Sequence, residues 1–208
     1  MVALIAVLAG LSFSALGTQL GRQKLARSAE RLGSHVELTR AYAMQGGTRH
    51  RLVWPETDEV TRTDQPAVEH EADPIDAPGE FVPVPASWAR PKVLADGIVC
   101  REVVLGAPPV DDDPFGFDDD VARRDEGRRP PVEFDPTGRV EQATLIVARD
   151  DWDEIDEESQ WRWARWVVID PRTGRTSVRT PPRDDPVYSA SDGEDWRLRL
   201  LVRYGTLE

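Results

Sequence analysis

Residues able to do acid–base, nucleophilic or metal chemistry are few in this chain of 208. It holds three histidines, His35, His50 and His70, and one cysteine, Cys100. A zinc site or a histidine relay needs several such groups at ligand spacing, and these are scattered. No His-Glu-x-x-His, Gly-x-Ser-x-Gly or phosphate-cradling glycine loop occurs. A nucleophile and its base would have to come from isolated Ser, His and Asp residues with no motif to join them. His35 and His50 read as packing or surface residues. Cys100, in a valine-rich stretch, reads as a small buried apolar residue with no internal disulfide partner. The chain is not expected to be an enzyme.

Carboxylates and tryptophans are the richer materials. Asp111-Asp112-Asp113 and Asp118-Asp119-Asp120 bracket Pro114-Phe115-Gly116-Phe117, and clustered carboxylates are the hard oxygen ligands that calcium takes. Their spacing does not match the helix-flanked calcium loop, with its glycine at the sixth place and glutamate at the twelfth. The expectation is therefore no cofactor, with calcium at the acidic loops as the alternative. Trp161, Trp163 and Trp166 could form an aromatic platform for a sugar, but on an alternating strand they also read as core and edge packing.

The elements that would hold these residues differ sharply in charge. Residues 1–50 carry six bases and two acids, whereas residues 51–208 carry 20 bases and 36 acids, and the whole chain has a net charge of −12. An acidic body is a poor partner for phosphate, so nucleic acid is not an expected partner. The first 21 residues hold no charge. At ~1.5 Å per residue, about 20 residues span the ~30 Å hydrocarbon core of a bilayer. Residues 1–21 therefore fit a transmembrane half of a helix, and a cleaved signal or a buried core helix are the competing readings. Ala3, Leu4, Ala6, Leu8, Gly10, Leu11, Phe13, Leu16 and Gly17 would form its apolar, small-residue surface. Arg22, Lys24, Arg27 and Arg31 follow it and, alone, would hold the body in the cytoplasm.

From residue 22 to 46 no proline intervenes, and Leu25, Ala29, Leu32, Val36 and the pair Tyr42-Ala43 recur at helical spacing. This predicts one helix of about 45 residues, or ~67 Å. Its amphipathic half should pack on the body through Leu25, Ala29, Leu32 and Val36 and stop at Gly46-Gly47. Residues 47–208 read as a β-rich domain. Strands are expected at 51–54, 97–105, 139–148, 161–169 and 196–204, with turns at Asp135-Pro136-Thr137-Gly138 and Asp170-Pro171-Arg172-Thr173-Gly174. Acid-rich stretches at 55–80, 109–136 and 150–158 read as long loops.

An apolar segment that runs unbroken into an amphipathic helix, then glycine and a β-rich domain, resembles the pilin-like fold of type IV pilins and type II secretion pseudopilins. The segment Met1-Val2-Ala3-Leu4-Ile5-Ala6-Val7-Leu8-Ala9-Gly10-Leu11 looks like the middle of a prepilin N-terminus. Leu25-Ala26-Arg27, Leu38-Thr39-Arg40-Ala41-Tyr42-Ala43, Gly46-Gly47 and Arg51-Leu52-Val53-Trp54 are similar to the helix end and first strand of the minor pseudopilin H family (GspH/FimT-like). Val168-Ile169-Asp170-Pro171-Arg172-Thr173-Gly174-Arg175 looks like that family's late hairpin.

The resemblance implies an α+β, pilin-like fold: a long N-terminal helix packed on a C-terminal antiparallel β-rich domain. It implies a non-catalytic subunit held in the inner membrane by one pass, with the globular domain periplasmic. Its partners would be other pseudopilins of the same filament, the inner membrane and secreted cargo. The family's cleavage glycine, new N-terminal phenylalanine and glutamate do not precede this run, so Met1 is expected to be an internal start of a longer reading frame. The alternative is a secreted or membrane-anchored extracytoplasmic ligand-binding domain.

Overall fold

The computed structural model describes residues 2–55, 65–105, 129–155 and 157–181; for residues 2–16, 153, 157, 158 and 161 only the backbone element is described. The chain opens with one unbroken helix, α1 (Val2–Gly46). Nothing in it breaks the hydrogen-bond ladder, since the first proline is Pro55. It stops where Gly47 adopts φ +63°, the left-handed step that releases the chain from a helix at little cost only for glycine.

Eight strands follow: β1 (His50–Val53), β2 (Ala67–Asp73), β3 (Ala77–Pro83), β4 (Ile98–Leu105), β5 (Val132–Phe134), β6 (Ala143–Arg149), β7 (Ala164–Ile169) and β8 (Thr176–Arg179). They form two antiparallel sheets, ordered β3-β2-β1-β5 and β4-β6-β7-β8. The architecture is α+β, a long helix packed on antiparallel sheets. β6 is buried on both faces from Ala143 to Ala148, which is why its apolar residues run continuously instead of alternating. One hydrophobic cluster joins the helix (Leu25, Leu32, Val36) to the first sheet (Leu52, Val68, Phe134) and the second (Cys100, Leu145, Val147, Val167).

Several expected boundaries need correction. The stretch 55–80 is not one long loop, because β2 and the start of β3 lie in it. Two of its acids meet bases at or beside β1: Glu69 lies opposite Arg51 and pairs with it at 2.7 Å. Glu71 is buried, accepts a 2.9 Å hydrogen bond from Arg49 Nε and another from the Gly79 N–H at 2.7 Å, and its carboxyl is held below the usual glutamate range, chiefly by Arg49. Charge that looked like solvated loop is thus neutralised inside a sheet. β5 falls likewise within 109–136. Within 150–158 stand a 3-10 turn, Trp152–Glu154, and the start of one helical turn, Glu157–Gln160.

The strand expected at 161–169 begins only at Ala164, since Trp161–Trp163 coils into a 3-10 turn. The one expected at 139–148 runs 143–149, with Val140 making only an isolated bridge to Phe134. Both proline-glycine turns form, with φ +81° at Gly138 and +63° at Gly174. Residues 106–128, with both aspartate triplets, and the 196–204 stretch lie outside the described residues.

Candidate functional site

The feature that organises the molecule is the seam between α1 and the sheets, and the point where the helix leaves it. Leu25, Ala29, Leu32 and Val36 are fully buried there, as is Ala43, while Tyr42 lies at the exposed edge and stacks on Trp88 with ring centroids 4.0 Å apart. Gly33 gives the helix its close approach: a Cβ there would sit 3.0 Å from Thr176 Oγ1 and 3.6 Å from Val167.

Apolar periodicity alone does not mark three further buried members of this face, Ser28, His35 and Thr39. Ser28 Oγ accepts the Ala95 N–H at 3.0 Å, and Thr39 Oγ1 donates to the His35 carbonyl one turn back at 2.9 Å, so their polarity is satisfied on burial. His35 differs. Its ring meets Trp88 edge-on at 6.4 Å, its Nε2 has no hydrogen-bond partner among the described residues, and burial pushes its pKa down to about 4. It is a neutral packing residue at physiological pH.

Two charged side chains pin the helix to both sheets. Arg40 Nε donates to the Gly138 carbonyl at 2.7 Å, and the same side chain lies against Gly174, so it threads the two proline-glycine turns. Glu37 Oε1 accepts the Thr176 N–H at 3.0 Å and its hydroxyl at 2.9 Å, at the start of β8. The two turns are themselves fixed by aspartates. Asp135 accepts from Thr137 and Arg139, Asp170 from Arg172 and Thr173. Burial pulls both carboxyls upward, but these bonds outweigh it and leave them below the ordinary aspartate range.

At the other end the helix departs past Trp163. A Cβ on Gly21 would meet that indole at 3.0 Å, and the Arg22 and Arg149 guanidinium groups lie 5.7 and 4.7 Å from its ring centroid, within cation–π range. Beyond this collar residues 17–20 are exposed, Leu20 at 55%. Among the described residues no helix is long and apolar enough to cross a membrane. Gly17 has open space around it. The side chains of Ala3, Leu4, Ala6, Leu8, Gly10, Leu11, Phe13 and Leu16, which carry the anchor expectation, lie outside the described residues.

The remaining expected sites are dispersed. Trp166 is fully buried and Trp163 lies against Arg22 and Arg149, so the two do not share an open platform. Cys100 is buried. Among the described residues no three His, Cys, Asp or Glu side chains converge as a metal site; the aspartate triplets of the calcium alternative are not among them.

Two solved structures are similar to this chain. Both are of the minor pseudopilin EpsH from the type II secretion system of Vibrio cholerae, and each is 16% identical. They cover 76% and 77% of this chain and 96% of their own, with TM-scores of 0.46 and 0.48. At that distance the likeness is one of outline, and no residue's role transfers from it. No family model matches the chain, and no curated protein sequence does.

Proposed function

We propose that the protein is a non-catalytic structural subunit, a minor pseudopilin of a type II secretion or type IV pilus-like machine, that assembles through its apolar N-terminal helix to form or cap a filament for protein secretion. The observation that carries this reading is that α1 outruns its body. The helix is continuous over Val2–Gly46, yet among the described side chains the fully buried ones begin at Leu25, and residues 17–20 just before the collar are exposed. On this reading about 20 residues, or ~30 Å of helix, extend past the sheets. They are uncharged through Gly21. A helix that is apolar on all sides must be covered by lipid or by other helices, and small residues such as Ala3, Ala6 and Gly10 let neighbouring helices approach closely. The same surface serves as inner-membrane anchor before assembly and as filament core afterwards, with the β-rich domain outside.

Fractionation and deletion test this together. The native protein should enter the inner-membrane fraction and need detergent for release, and deleting its gene should strand a normally secreted protein in the periplasm or abolish a surface filament. A full-length chain that stays monomeric in water without detergent, in cells whose secretion and filaments survive the deletion, would end the proposal.

A further inference from the structure

Two of the histidines that are scattered in the sequence are brought together by the first sheet. His50 of β1 and His70 of β2 are register partners. Next to them the Glu71 N–H donates to the Arg49 carbonyl at 2.9 Å. Antiparallel ladders alternate bonded and non-bonded pairs, so His50 and His70 form the non-bonded kind, in which side chains lie closest. Their ring centroids are 6.0 Å apart. Pleating sends the charged neighbours Arg49, Arg51, Glu69 and Glu71 to the opposite face, where they pair with one another. On their own face the two imidazoles have Phe134 of β5 and Val82 of β3 as outer register partners.

The ring nitrogens are set up unequally. His50 Nδ1 lies 3.1 Å from the Thr48 carbonyl. A carbonyl only accepts, so this contact places the ring proton on Nδ1 and leaves the Nε2 lone pair available, as in metal-ligating histidines that donate their other ring N–H to a backbone carbonyl. His70 Nδ1 is shielded from solvent and has no hydrogen-bond partner among the described residues, an arrangement that costs free energy unless something satisfies it. The helix ends beside the pair: a Cβ on Gly46 would lie 4.0 Å from His50 Cε1. The last carbonyls of a helix carry partial negative charge and favour a cation.

We propose that His50 and His70 together bind one divalent transition-metal ion of the kind imidazole favours, zinc, nickel or copper, between their rings. Two imidazoles that share a tetrahedral zinc at ~2.1 Å bring their centroids to ~5 Å. From 6.0 Å this is a closure of about 1 Å, within reach of side-chain rotation. The remaining positions on the ion fall to water, and His70, which is only partly buried, gives the way in. A bound ion clips β1 to β2 immediately after the chain turns at Gly47, and so stiffens the junction between the helix and the body. The inference goes beyond the filament reading and does not depend on it.

Binding is measured on the metal-free full chain in detergent, with excess calcium present to occupy carboxylate oxygens, for which imidazole sites have little use. Titration with zinc or nickel should show one ion per chain and a raised melting temperature. His50→Gln and His70→Gln should each weaken binding by roughly tenfold or more, whereas His35→Leu, which removes the third imidazole, should leave it unchanged. With copper(II) as the probe, pulsed electron paramagnetic resonance of the unaltered chain should show two coordinated imidazoles, a readout that holds even where a variant fails to fold. No binding in excess calcium, an affinity that survives both glutamine substitutions, an equal loss in His35→Leu, or a copper spectrum with fewer than two imidazoles overturns the proposal. None of these results bears on membrane fractionation or on the gene deletion, so the metal site and the filament role stand or fall separately.

Discussion

A histidine buried in the helix seam makes stability depend on pH in a window where few other groups titrate. His35 has its pKa lowered to about 4 by burial, against ~6.5 in an unfolded chain. Between those values the unfolded chain takes up a proton that the folded one refuses. Stability is therefore full above pH ~6.5 and falls as pH drops toward 4, by at most roughly 3 kcal/mol. His50, also lowered by burial, contributes in the same direction. Thermal unfolding between pH 4 and 8 should show this slope, and His35→Leu should make it shallower; an unchanged slope would remove His35 as its source. Glu71 acts lower on the scale. Its depressed carboxyl contributes stability above the ordinary glutamate range and loses it as pH falls through the lowered value. Glu71→Gln should lose part of the neutral-pH stability and flatten this more acid limb, read from the same melts.

Between elements, the turns that grip Arg40 are the most exacting. Gly174 combines φ +63° with an Arg40 side chain that occupies the space of a Cβ, whereas Gly79 has φ +84° and nothing within 4 Å. Gly79→Ala should therefore cost only the left-handed strain, about 1–2 kcal/mol. Gly174→Ala must also expel Arg40 from its hydrogen bond with Gly138 and should cost roughly 1–3 kcal/mol more. Urea denaturation of the two variants compares them directly, and equal midpoints would show that Arg40 is not clamped. Leu32, fully buried in the shared core, is a simpler case: Leu32→Ala should cost about 2–5 kcal/mol.

For the whole molecule, the proposed division of α1 into a packed and a projecting half predicts independent loss of two properties. Removing residues 1–20 takes away no described buried side chain, because the buried stripe starts at Leu25. The shortened protein should melt within a few degrees of the full chain while leaving the membrane fraction. Extending the cut through Val36 removes Leu25, Ala29, Leu32 and Val36 from the core and should abolish cooperative unfolding. Calorimetry with fractionation decides both. A large drop in melting temperature for the first cut would place residues 1–20 inside the body and not beyond it.

What the sequence determined by itself was local. The unbroken helix, its apolar stripe from Leu25 to Val36 and the glycine that ends it follow from periodicity and from φ preferences within a few residues, and so do both Asp-Pro turns. Tertiary structure decided whatever depended on a partner distant in the chain. Glu69 and Glu71 read as solvated acids until β1 set Arg51 and Arg49 beside them. Ser28, His35 and Thr39 carry no apolar signal, and only the closed seam shows them buried. Arg40 found its place only where turns 98 residues and more away converge on the helix. The reason is physical: periodicity reports which face of an element is apolar, but the burial of a charged or polar group depends on whether another part of the chain supplies its counter-charge or hydrogen bond.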